Sequence, residues 1–465
     1  MKKIYIILSF AFCFSIGNAQ NESTKRADKL FEQFEFVDAA NEYLKIALEK
    51  ADGYVYKQLG DCYYNVFNAT EATKWYAKAV ETNQDAETYF RYAQMLKANA
   101  NYDEANVQMK KFASLAPNDQ RTKFITADEN FVTKILSLTK LFDVKTVAIN
   151  TKFSDFGAYL KDNVVYFVSA RNTVRKNDNW NDQPFLDIYK SDYTNGVLAN
   201  TASGFDDLNT MHHEGTMTIS SDGNTVYFTR QSFFENEFDK VKNTSNNKNR
   251  KVGKNYIYKA TKTDGKWGNV TSLSINNVKY NCSAPSITKD GSTLYFSSDM
   301  NGSLGKSDIW KVALNTDGTL GTPENLGTNI NTEGSEQFPF IADDNTLYFS
   351  SNGRNGLGGL DVYAYNDTKN AQPVNIGKPV NSQKDDFGFT FNQAQGVAFL
   401  SSNRDGGLGD DDIYQANPIC TVDLTVFVKD IKSTTSPKSP VRSGSTSSPR
   451  SSPVCSSCCS ASRSS

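Results

Sequence analysis

Four carboxylates, Asp155, Glu214, Glu336 and Asp386, stand at one level of a five-fold repeat, each just ahead of a strand, and Cys282 holds the fifth place. Facing a common opening, such acids hold a cation or meet a basic partner. Paired across a glycosidic bond, one acid protonates the leaving oxygen while the second acts as base or nucleophile. The competing expectation is structural, because carboxylates in turns accept backbone N–H groups and stabilise the turn unaided. These acids recur with the repeat instead of standing out from it, which favours the turn role, so no catalytic residue is assigned. His212-His213-Glu214 contains both histidines of the chain. A zinc site needs a third ligand at defined spacing, and no helical His-Glu-x-x-His occurs, so a pair of surface loop histidines is expected. The runs Gly356-Leu357-Gly358-Gly359 and Gly406-Gly407-Leu408-Gly409 lack the Lys-Ser/Thr ending of a phosphate loop and serve turn geometry. Asp410-Asp411-Asp412 reads as solvated turn acids in preference to a weak calcium site. No Ser-His-Asp arrangement stands out, and no metal or cofactor is expected.

The elements that carry these residues are short alternating strands broken by Gly/Asn/Asp turns, beginning after Leu141. Phe167, Phe228, Phe296, Phe349 and Phe399 mark five strands of one kind. A second marker follows each: Asp187-Ile188-Tyr189, Tyr256-Ile257-Tyr258, Asp308-Ile309-Trp310, Asp361-Val362-Tyr363 and Asp412-Ile413-Tyr414. A spacing of about fifty residues suits four strands per unit. Asp222-Gly223, Asp290-Gly291 and Asp344-Asn345 predict tight hairpin turns. A polar insertion from about Glu235 to Lys254 predicts an exposed, mobile loop. Radial sheets leave only short, protected edges, so the array over residues 141–416 is expected to be a β-propeller, five blades by count and six as the alternative. Val144-Lys145-Thr146-Val147, ahead of the first unit, can complete the last blade and lock the ring. Asp290-Gly291, Tyr295-Phe296-Ser297-Ser298 and Gly305-Lys306-Ser307-Asp308-Ile309-Trp310 resemble the marks of TolB-like, WD-repeat-like propellers.

Ahead of the strands the period changes. Over residues 21–118 a shift of 33 superposes Ala27, Gly60 and Ala93, then Leu30, Tyr63 and Leu96, then Ala39, Ala72 and Ala105, then Tyr43, Tyr76 and Met109. Small residues recur where helices approach and large apolar ones where the groove must be filled. This pattern resembles TPR repeats and implies a three-unit α-helical solenoid with a partner-binding concave face. Residues 119–140 read as a further helix or linker. The fold class is therefore α+β multidomain, a helical solenoid followed by an all-β propeller.

Lys plus Arg number 50 against 52 Asp plus Glu, a balance that gives no reason to expect nucleic acid or an anionic membrane as partner. Residues 1–20 read as a secretory signal, with Lys2 and Lys3 before an apolar run to Ile16 and small residues at Gly17 and Ala19. No other stretch has the length to span a bilayer. Cys62, Cys282 and Cys420 fit no metal or disulfide spacing and are expected as buried small hydrophobes. Residues 417–432 include an alternating strand, Leu424-Thr425-Val426-Phe427-Val428, and residues 433–465 collapse into Ser, Pro, Arg and Cys.

Signal, helical repeats, propeller and this strand, in that order, resemble the multidomain OmpA-family proteins of Bacteroidetes, including PorE-like components associated with type IX secretion. The resemblance implies a carboxypeptidase-regulatory-like β-sandwich after the propeller, then an OmpA-like domain that binds peptidoglycan. The first is cut after one strand and the second has no counterpart, so a truncated chain or frameshift is expected, without peptidoglycan binding. The expected function is that of an exported, periplasmic, outer-membrane-associated scaffold for protein partners of the cell envelope. A glycan-acting propeller hydrolase, or a non-catalytic glycan- or cation-binding propeller, is the alternative.

Overall fold

A computed structural model describes residues 24–49, 52–205, 208–241 and 250–419. The signal segment, the strand after Cys420 and the Ser/Cys tail lie outside the described residues. Two compact units emerge, one of residues up to 82 with 179–181, the other holding the remainder.

The first unit contains α1 (Lys25–Glu32), α2 (Phe36–Glu49), α3 (Gly53–Asn65) and α4 (Ala69–Ala79). Asp52 caps α3 by accepting from the Val55 N–H, and Asn68 caps α4 by accepting from that of Glu71. Gly60 is required by close approach: a Cβ there would lie 2.5 Å from the Tyr76 ring. The 33-residue register also carries a buried polar pair. Asp28 accepts from the Tyr43 hydroxyl at 2.6 Å, and one repeat later Asp61 accepts from the Tyr76 hydroxyl at 2.6 Å.

The second unit opens with the third helix pair, α5 (Ala86–Ala98) and α6 (Tyr102–Leu115), then α7 (Gln120–Ala127) and α8 (Phe131–Leu136). Here the register places Gln94 and Met109 where the earlier repeats have Asp and Tyr. Gln94 donates instead to the Asn352 carbonyl at 3.0 Å, in the propeller. Tyr102 donates to the Leu357 carbonyl at 3.0 Å, and Asn355 donates to the Phe124 carbonyl at 2.7 Å. The third pair thus uses its repeat positions to seat on the strands.

The strands form five four-stranded antiparallel blades. After β1 (Phe142–Thr146), blade one is β2 (Asp155–Lys161), β3 (Val164–Ser169), β4 (Asp187–Thr194) and β5 (Val197–Ser203). Blade two is β6 (Glu214–Ile219), β7 (Thr225–Gln231), β10 (Asn255–Thr263) and β11 (Lys266–Ser272), with the ribbon β8 (Asp239–Val241) and β9 (Arg250–Val252) between its second and third strands. That ribbon falls where the sequence predicts a loop. Blade three is β12 (Cys282–Ile287), β13 (Thr293–Ser298), β14 (Asp308–Ala313) and β15 (Glu324–Asn325); blade four is β16 (Glu336–Ile341), β17 (Leu347–Ser351), β18 (Asp361–Tyr365) and β19 (Val374–Asn375). Blade five is β20 (Asp386–Asn392), β21 (Val397–Ser402), β22 (Asp412–Pro418) and β1, which pairs antiparallel with β22 from Phe142↔Pro418 to Thr146↔Tyr414. The chain's first strand therefore closes the ring, as the sequence predicts. Phe142 is fully buried there, edge-on to Phe389 at 5.4 Å and Phe391 at 5.8 Å.

The expected tight turns are present, closed by bonds from the N–H groups of Gly223, Gly291 and Asn345 to the carbonyls of Ser220, Thr288 and Ala342, each 2.9 Å. Every first strand shifts register near its start, at Phe156/Tyr159, Glu214/Met217, Ser283/Ser286, Gln337/Phe340 and Phe387/Thr390. These five bulges add twist where the inner strands converge. Among the described residues no helix is long and apolar enough to cross a membrane.

Candidate functional site

Asp155, Glu214, Glu336 and Asp386 each begin the first strand of a blade, with Cys282 in the same place in blade three, and all five are fully buried. The sequence register is thus a real level of the ring. The carboxylates, however, are already occupied. Asp155 accepts from the Thr151 N–H at 2.6 Å and hydroxyl at 2.7 Å; Glu214 accepts from those of Thr210 at 3.1 and 2.7 Å. Glu336 accepts from the Thr332 N–H at 2.7 Å and hydroxyl at 2.8 Å, and Asp386 from the Ser382 N–H and hydroxyl. Each acid therefore ties the linker between blades back on itself, four residues upstream.

Arginines complete the joint. Arg171 pairs with Asp155 at 2.6 Å and Arg230 with Glu214 at 2.9 Å, while Arg404 pairs with Asp386. Each also donates to the carbonyl six residues before its acid: Arg171 to Ile149 at 2.8 Å, Arg230 to Leu208, and Arg404 to Val380 at 2.6 Å. In blade four Arg354 donates to the Ile330 carbonyl at 3.1 Å, and the Ser351 hydroxyl meets Glu336 at 2.6 Å. Blade three loses both members together. Cys282 and Met300 are buried in one apolar cluster, and the Cys282 thiol lies 3.7 Å from the Ile275 carbonyl, seven residues upstream and, like the acceptors of the arginines, immediately before the linker asparagine. Burial pushes this thiol up to about 12.

A second set of joints was missed by the sequence reading. Asn150, Asn209, Asn276, Asn331 and Asn381 each turn a carboxamide onto the third strand of the preceding blade, accepting from one residue's N–H and donating to its carbonyl. The partners are Ile413, Ile188, Ile257, Ile309 and Val362. An available signal was the apolar-Asn pair ahead of each ring acid, as in Ile149-Asn150, Leu208-Asn209, Ile330-Asn331 and Val380-Asn381. Replacing Asn331 by alanine leaves the Ile309 N–H and carbonyl without this partner in a buried strand, and is expected to cost about 1–3 kcal/mol in denaturant unfolding.

The second marker residues form a further buried level. Asp308 accepts from the N–H groups of Leu304 and Gly305, Asp361 from Leu357 and Gly358, and Asp412 from Leu408 and Gly409. The glycine runs thus wrap a carboxylate, not a phosphate. Asp412 is 1% exposed, which corrects the expectation of a solvated turn acid. His213 also differs from expectation. His213 is half-buried against the Phe185 ring at 4.2 Å, its Nδ1 accepting from the Leu186 N–H and its Nε2 2.7 Å from Asp178. No cluster of three His, Cys, Asp or Glu able to hold a metal occurs among the described residues. Cys62 and Cys282 are buried as expected, and Cys420 lies outside the described residues.

Next to the ring acids, Phe387 meets Phe338 at 4.9 Å and Phe156 at 6.0 Å between ring centres. Blades one, four and five therefore meet through aromatic rings beside their carboxylates. Burial raises Glu336 and Asp385 to about 7 and Asp361 and Asp411 to about 6, from ordinary values of 4.5 for Glu and 3.8 for Asp. The folded chain thus binds protons that the unfolded chain has released. Stability from these groups is complete below the unfolded values and is lost as pH rises through about 7. The melting temperature is expected to fall between about pH 4.5 and about pH 7, and Glu336→Gln to flatten part of that slope in calorimetric scans.

No protein-family model matches the chain, and no curated protein matches it. Among solved structures, a prolyl endopeptidase aligns at 20% identity over 53% of this chain and 30% of its own, with a TM-score of 0.28. TolB from Acinetobacter baumannii aligns at 15% identity over 55% of this chain and 52% of its own, TM-score 0.28. An endo-arabinase from Bacteroides thetaiotaomicron aligns at 15% identity over 60% of this chain and 97% of its own, TM-score 0.37. The chain spans about a third of the endopeptidase and half of TolB. The likeness is one of fold, a five-bladed propeller distantly resembling those of peptidases, glycosidases and TolB alike.

Proposed function

We propose that this chain is an exported cell-envelope adaptor that holds protein partners on its helical-repeat and propeller surfaces, as part of an outer-membrane or type IX secretion assembly. The observation that carries the non-catalytic part of this reading is the joint replacement of acid and arginine by Cys282 and Met300 in blade three. A ring position that exchanges an ion pair for an apolar pair is serving blade-to-blade packing. A hydrolase needs its acids free to exchange protons with substrate, whereas these four are engaged by linker groups. The envelope assignment rests on the apolar N-terminal segment and on the resemblance in domain order, and the adaptor role on the helical repeats.

In vivo cross-linking in the native host, followed by identification of captured chains, tests this directly. The expected result is a fixed set of envelope proteins, captured equally by wild type and by Glu336→Gln, with no cleavage of a panel of arabinans and other glycans. Cleavage of any glycan by wild type that is lost in a folded Glu336→Gln variant would sink the adaptor reading and establish the hydrolase.

A further inference from the structure

An open cleft lies between α5–α8 and the blade-four loop 352–355. Phe90, Met109, Ile125 and Phe131 supply apolar walls, and Lys97, Lys110, Arg121 and Arg354 also line it. Two of these cations are already answered. Lys110 pairs with Glu129 at 3.0 Å, and Arg121 pairs with Glu87 at 3.0 Å and Asp119 at 2.9 Å.

The other two are not. Lys97 is 3% exposed, and its ammonium, with three donors to place, makes one hydrogen bond among the described residues, to the Gly356 carbonyl at 3.4 Å. Asp361 and Asp385 favour its charge from a distance, while Asp361 accepts from the N–H groups of Leu357 and Gly358 and one oxygen of Asp385 from that of Leu360. Burial, the larger effect, brings Lys97 down to about 8, so it remains mostly charged at neutral pH. Arg354 is 8% exposed, lies over the Phe124 ring at 4.9 Å, and uses Nη2 on the Asn329 and Ile330 carbonyls. Among the described residues its buried Nε–H has no acceptor. Glu336 is the acid that acts on it, and that carboxyl is engaged by Thr332 and Ser351.

Buried donors left unmet are costly, and two cations lining one cleft with apolar walls are what an anion with an apolar body would complete. We propose that this cleft binds a carboxylate bearing an apolar group, with Lys97 and Arg354 holding the carboxylate and Phe90, Met109, Ile125 and Phe131 enclosing the rest. A monoanion fits better than inorganic phosphate, whose hydration shell the apolar walls cannot replace. The carboxylate has two sources, a small free acid or the C-terminus of a partner chain ending in an apolar residue. This site is independent of the adaptor reading.

Calorimetric titration of the chain with hydrocinnamate and hydrocinnamide, and with short peptides ending in phenylalanine as free acid or amide, tests the site and its source. Saturable binding of a free acid but not its amide is expected, weakened about tenfold or more in Lys97→Met, with Arg354→Gln as the second variant. Lys97→Met removes a buried charge at little change in volume, so its fold, checked by melting temperature, is expected to persist. Binding of only the small acid identifies a free ligand, and binding of the peptide acid identifies a partner's C-terminus; either supports the site. The proposal is overturned if acid and amide bind alike, if Lys97→Met binds as wild type does, if phosphate competes as well as hydrocinnamate, or if neither acid binds saturably at millimolar concentration.

Discussion

Glu214→Ala is expected to lower the unfolding free energy by about 3–5 kcal/mol, the cost of leaving a buried cation without its counter-ion. Arg230 is 1% exposed and stacked among Phe228, Phe234 and Tyr258, cut off from solvent in the folded chain. The Thr210 N–H and hydroxyl lose their acceptor at the same time. Urea unfolding followed by tyrosine and tryptophan fluorescence measures the shift. A change under about 1 kcal/mol would mean that solvent reaches Arg230 and that the acid is not a joint.

Gly358→Ala is the second large effect, expected to cost at least about 3 kcal/mol. A Cβ at this position would stand 1.9 Å from the Lys384 carbonyl oxygen and 2.9 Å from the Gln383 carbonyl carbon and oxygen, atoms of the linker into blade five. No side-chain rotation relieves a contact with backbone, so the blades must separate. The Gly358 N–H, which Asp361 accepts at 3.0 Å, would move with them. Gly409 stands in the same relation to Phe153 where blade five meets blade one, so Gly409→Ala should behave alike. Soluble yield and melting temperature of both variants check this, and wild-type values for either would contradict the close approach.

The features that repeat were the ones the sequence displayed. Phe167 and its four counterparts, the Asp-Gly turns and the leading strand at Val144 predict five blades and their closure, because strand period and turn chemistry are local. The ring acids were legible as a level, and so was their competing role as turn acceptors. Their arginine partners were not, since Arg171 and Arg404 follow the strand-end serine by two residues, Arg354 by three, and Arg230 stands in the serine's place. A shared function served from three registers escapes an alignment of positions. Four of the asparagines stand five residues ahead of their ring acid and Asn276 six ahead of Cys282, and a lone Asn in a loop reads as a turn residue. The seating of α5–α7 on blade four was beyond reach for another reason. Gln94 and Lys97 are ordinary residues of a helical repeat, and only the fold brings them to Asn352 and Gly356.

The ring carboxylates join blades. Blade five offers the cleanest comparison, because Asp386 and Arg404 occupy the positions that Cys282 and Met300 occupy in blade three, relative to Ser402 and Ser298. A double-mutant cycle on Asp386→Cys and Arg404→Met, read by urea unfolding, measures the joint directly. Each single change is expected to destabilise, and the double to recover at least about 1.5 kcal/mol of the sum, as blade three does without the ion pair. Strict additivity, or single variants as stable as the wild type, would show that these acids are held for something other than the architecture.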